Sequence, residues 1–194
     1  MVTAKLPKKI MLVLFKNFNE NNTISSLAKE LSMNRVGIWR ILKKLESKNL
    51  ITLTQVGDGR TNAHLINLNW NNFLIEKLLN LYLTEEALQE QRLIKDFEKL
   101  NVKDIEDIVD FLIIHENNII SVVSQKRKII KIHPSEEFAE EKINYINLTE
   151  LEFVKELMRP NKDFVDAVKK GSVLLGQGKF IQLMKNLHLK KFNF

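Results

Sequence analysis

Between Asn34 and Lys44 the chain reads NRVGIWRILKK, and Arg35, Arg40, Lys43 and Lys44 place four cations in that short span. An arginine guanidinium presents two parallel N–H groups, which match O6 and N7 of guanine or two oxygens of a phosphate. Lys43 and Lys44 are point charges suited to neutralising phosphates. Asn34 carries the donor–acceptor pair that reads adenine, or it grips a phosphate. Trp39 has two readings: its ring stacks on a sugar or meets a thymine methyl, or it is half-buried against a neighbouring element. Val36 and Gly37 share the same side as these residues. Upstream, Ser25 and Ser26 offer two hydroxyls that either hold a phosphate or are simply solvated. Downstream, Arg60 and Thr61 lie on a glycine-rich turn, from which an arginine can enter a minor groove or touch the backbone.

Other chemistry is thin. There is no cysteine, which removes disulfides, thiolate metal sites and thiol nucleophiles and fits a reducing, cytoplasmic setting. His64, His115, His133 and His188 are scattered without metal-ligand spacing and read as surface or strand residues. The stretch GSVLLGQGK at 171–179 resembles a phosphate loop only superficially. Gln177 stands where that loop needs lysine, and Phe180 where it needs Ser or Thr, so it reads as a helix stop and a turn. Glu136, Glu137, Glu140 and Glu141 read as a solvated helix face. No catalytic residue, cofactor or metal is expected.

The elements that must position the cations follow from periodicity. Met11, Leu14, Phe15 and Phe18 recur at helical spacing in a helix over 5–19, with Pro7 in its first turn. The apolar run Ile10–Phe15, flanked by lysines, is too short to span a membrane and reads as core. Thr23 caps a short helix bearing Leu27, Ala28 and Leu31, and Ser32-Met33-Asn34 is a turn. Asn34 caps a second helix over 35–47, with Ile38, Ile41, Leu42 and Leu45 on one face, and Asn49 supplies the left-handed stop. Strands over 51–55 and 62–67 flank a turn containing Asp58-Gly59, a strong hairpin signal.

Helix, turn, helix and hairpin in that order resemble the winged helix-turn-helix domains of MarR-like and ArsR-like transcriptional regulators. The carrying residues are SSLAKELSMNRVGIWRILKKLESKNLI and the hairpin after them. The chain departs from the usual pattern at Asn49, where glycine is commoner, and at Trp39, where a small polar residue is commoner. The resemblance implies sequence-specific binding of double-stranded DNA, with the first half of the 35–47 helix in the major groove. Charge agrees with this. Residues 1–70 hold eleven Lys/Arg and four acids, an excess of seven positive charges, whereas the whole chain carries +6.

The next segment, 71–100, reads as one long helix or as two with a start at Thr84. Its apolar residues, among them Phe73, Leu74, Leu78, Leu81 and Leu88, exceed what a small winged helix covers. It is expected to act as a connector, pairing two subunits as a homodimer or packing on its own C-terminal part. A dimer would set recognition helices about 34–36 Å apart, or a multiple of that. No membrane association is expected, and the residues do not specify a small-molecule or protein effector.

Residues 101–194 continue as alternating helices and strands. Asn101 to Asn117 fits a helix on Ile105, Ile108, Val109, Leu112 and Ile113, with a strand over 110–115 as the alternative. Further strands are expected at 119–123, 128–133, 143–148 and 173–175, and helices at 134–142, from Thr149, at 163–170 and from Gly178. Ile143 to Leu187 resembles the C-terminal end of small nucleotidyltransferase domains, with a Thr-led helix start and a Lys-Gly-Xaa-Xaa-Leu-Xaa-Gly run. That family holds its metals on an Asp-Xaa-Asp strand after Gly-Ser. Here Ser124-Gln125 replaces Gly-Ser, and Ile129 and Lys131 fall at the aspartate positions. The resemblance therefore implies the fold without the chemistry. An active nucleotidyltransferase is the alternative, and it would need Asp107 and Asp110 on one strand. The expected architecture is α+β: a winged helix over 1–70, a connector over 71–100 and a nucleotidyltransferase-like domain over 101–194.

Overall fold

The computed structural model describes residues 5–18, 20–57, 63–93, 109–116, 118–124, 144–159 and 161–191. Arg60, Thr61, Asp107 and the expected elements at 128–142 lie outside them. Among the described residues there are seven helices and two sheets, a mixed α+β fold. The chain divides into two compact units, Met1–Tyr82 with Met184–Phe194, and Leu83–Leu183.

In the first unit, α1 (Lys5–Lys16) buries Ile10, Met11, Leu14 and Phe15. Helix α2 (Ile24–Glu30) opens on a capping box that closes at Ser26 rather than at an acid. The Thr23 N–H donates to Ser26 Oγ at 2.8 Å, and the Ser26 N–H donates to Thr23 Oγ1 at 3.1 Å. Ser32 takes a left-handed φ of 52°, which turns the chain into α3 (Arg35–Ser47). Ile38, Leu42 and Leu45 form the buried stripe of α3. Asn49, at φ 58°, ends the run as a left-handed stop, and its carbonyl accepts from the side-chain amides of Asn69 and Asn72 at 3.0 and 2.9 Å.

Strands β1 (Ile51–Val56) and β2 (Ala63–Leu68) pair antiparallel, with Ile51 opposite Leu68 and Val56 opposite Ala63. The Ile66 N–H donates to the Asn22 carbonyl at 2.9 Å, which ties the ribbon to the loop before α2. The expected surface role of His188 is corrected: it is buried and its Nε2 donates to the Phe15 carbonyl at 2.8 Å. Its ring lies 5.6 Å from that of Trp70. The cause is helical register, since Ile181, Met184 and His188 share the buried face of α7 (Gln177–Lys191).

Helix α4 (Leu74–Leu93) runs through Thr84 without a break, so the one-helix reading holds over these residues. It buries Ile75, Leu79, Leu83 and Ala87, one stripe at helical spacing.

The second unit is built on a four-stranded sheet in the order β5-β4-β3-β6. Its strands are β3 (Val109–His115), β4 (Asn118–Val123), β5 (Asn144–Thr149) and β6 (Ser172–Leu175). Only β4 and β5 run parallel. Residues 109–115 are thus strand, not helix. Val109, Phe111, Leu112 and Ile113 are all buried, so both faces of β3 are covered and the alternation that marks a half-exposed strand is missing. A bulge between Val109 and Phe111 puts Val109 in one cluster with Leu112, Ile119, Val123 and Leu174.

Phe111 belongs to an aromatic cluster with Phe153 at 5.1 Å and Phe180 at 5.3 Å, and Phe164 joins through Phe153 at 5.6 Å. Helix α5 (Glu150–Met158) supplies Phe153, and α6 (Lys162–Lys170) supplies Phe164. The 171–179 stretch is a helix stop at Gly171, the strand β6, a turn at Gly176 and the first residues of α7. Gly176 makes that turn at φ 69°, and an added Cβ would fall 1.9 Å from the Asp110 carbonyl oxygen, so only glycine fits.

Candidate nucleic-acid interface

On α3 the buried stripe leaves Arg35, Val36, Arg40, Lys43 and Lys44 exposed and Trp39 half-buried. Residues 35, 36, 39, 40 and 43 follow the i, i+1, i+4, i+5, i+8 spacing of one helical face, so the side chains stand together along α3. Val36 is 61% exposed. An apolar residue among cations is poorly solvated there and matches a ligand with methyl groups or ring faces.

Trp39 is half-buried against a neighbouring element, as one of its two readings expects. Its ring lies 5.3 Å from that of His64 on β2, so one side packs on the ribbon. The Lys43 ammonium stands 4.7 Å from the Trp39 ring centre, and it also pairs with Glu46 Oε2 at 2.8 Å. Trp39 further lines an open depression of about 440 Å³ with Thr23, Ser25, Arg35, Val36 and His64. The start of α2, the first half of α3 and the start of β2 therefore converge on one concave surface.

Several expected site residues are committed locally. Asn34 Oδ1 accepts from the Gly37 N–H at 2.6 Å, so the oxygen needed to read adenine is already the helix cap. Gly37 tolerates this close approach, because a Cβ there would sit 3.0 Å from the same oxygen. The Ser26 hydroxyl belongs to the capping box and donates to the Thr23 carbonyl at 3.0 Å. Ser25 is exposed at the edge of the depression. His64 lies on β2, as expected of a surface or strand residue, and also lines the depression. Its even register with buried Ile66 and Leu68 was the signal that it faces the same side as the core.

In the second unit, Asp110 on β3 forms an ion pair with Lys179 on α7. Among the described residues no group of three or more His, Asp or Glu side chains could hold a metal, and no helix is long and apolar enough to cross a membrane. Comparison of the chain with protein-family models, with curated proteins and with solved structures finds no match.

Proposed function

We propose that the first unit is a winged helix-turn-helix that binds double-stranded DNA, and that the protein is a cytoplasmic, sequence-specific transcription regulator. The observation that carries this reading is the exposed face of α3. Arg35, Val36, Trp39, Arg40 and Lys43 line up on it, in the part of the chain that holds all the excess positive charge. The helix enters the major groove by this face, with Arg35 and Arg40 reading guanine edges and Lys43 and Lys44 meeting phosphates. Val36 meets thymine methyls. Asn34 contributes by holding the start of α3 rather than by reading a base. The β1–β2 ribbon is the wing, and the second unit is a nucleotidyltransferase-like scaffold that does no catalysis.

Electrophoretic mobility shifts of duplex DNA at low salt test the proposal. Arg35→Ala and Arg40→Ala are each expected to cost about 1–3 kcal/mol against a selected site, more than either costs on random duplex. Absence of any shifted duplex at low salt would overturn it.

A further inference from the structure

Helix α4 has a second apolar face that is exposed among the described residues. Leu74, Leu81 and Leu88 are 42%, 52% and 51% exposed and stand seven residues apart. At 3.6 residues per turn they lie on the side of the helix opposite the buried stripe of Ile75, Leu79, Leu83 and Ala87. Leucines at heptad spacing supply one of the two seam positions by which one helix packs along another. Lys77 and Glu85 are exposed and flank this ridge, one on each side of Leu81 and each four residues from it.

We infer that the occupant of this face is a second copy of the same helix, paired antiparallel about a two-fold axis at Leu81. In that register Leu81 meets Leu81, Leu74 meets Leu88, and Lys77 stands in the same layer as Glu85 of the other copy. The ridge and its charges are thus self-complementary. A parallel pair would instead set Lys77 beside Lys77 and Glu85 beside Glu85, an arrangement that like charges oppose. This pairing does not rest on DNA binding, and its tests use the full chain without DNA.

Sedimentation equilibrium at micromolar concentration is expected to give a dimer, and Leu81→Asp to give a monomer of 22.7 kDa with an unchanged circular dichroism spectrum. Lys77→Glu and Glu85→Lys are each expected to weaken the dimer about tenfold or more, and the double swap to restore it. The chain has no cysteine, so introduced thiols report single positions. In the antiparallel pair two copies of residue 74 stand about 21 Å apart, fourteen helical steps. With a thiol-reactive linker shorter than that, Leu81→Cys links to itself, Leu74→Cys does not, and Leu74→Cys links to Leu88→Cys. A wild-type monomer, or self-linking of Leu74→Cys, would overturn the inference.

Discussion

Lys43 stands over the Trp39 ring and beside Glu46, so its ammonium is held near the surface of α3 instead of ranging freely. A cation fixed in this way suits a phosphate, which demands charge at a place and no particular pattern of donors. Lys43→Ala is expected to weaken binding to all duplex sequences alike and to reduce the slope of log affinity against log salt by about 1. Fluorescence anisotropy titrations on two unrelated duplexes, each at several salt concentrations, would measure both. A sequence-dependent loss would instead assign Lys43 to a base.

At this scale much was legible in the chain, because caps act over three or four residues. Asn34, Asn49 and Thr149 took the roles their neighbours announced. The Trp39–His64 contact was not legible, since it depends on where the ribbon settles against α3. The His188 bond to Phe15 spans 173 positions, and no local pattern announces such a contact.

Among the elements, α3 and the ribbon could be read because one face is buried and the other solvated, and periodicity survives. Strand β3 was harder. Its apolar run is covered on both sides, and the same residues fit a helical template until pairing with β4 and β6 decides. Helix α5 shows the opposite case, a start written wholly in local chemistry. The Thr149 N–H and then its hydroxyl hold the Glu152 carboxyl below the ordinary glutamate range. A group with a depressed folded-state pKa stabilises the fold above its unfolded value and loses that contribution as pH falls through the folded one. Glu152→Ala should therefore lower the thermal midpoint at neutral pH. In strong acid, where the wild-type carboxyl is protonated, its midpoint should approach the wild-type value. Equal differences in thermal scans at both pH values would show that the charge plays no part in the cap.

For the whole molecule, we propose a basic first unit that meets DNA and a second unit without catalysis. The acid that an enzymatic reading would use, Asp110, is already paired with Lys179, and a metal there would have to displace a lysine. Incubation with labelled nucleoside triphosphates and magnesium is expected to transfer no label to protein or nucleic acid. Transfer abolished by Asp110→Ala would make the second unit an enzyme.

The central claim is that the exposed face of α3 docks on duplex DNA, and its most direct test is the salt dependence of binding. Arg35, Arg40, Lys43 and Lys44 offer at most four phosphate contacts per head on random sequence. Random duplex is expected to bind at low salt, with a slope of log affinity against log salt of about −2 to −4 per head. Replacing all four by alanine should remove the binding. No duplex binding at low salt, or a slope that the fourfold variant leaves unchanged, would contradict it.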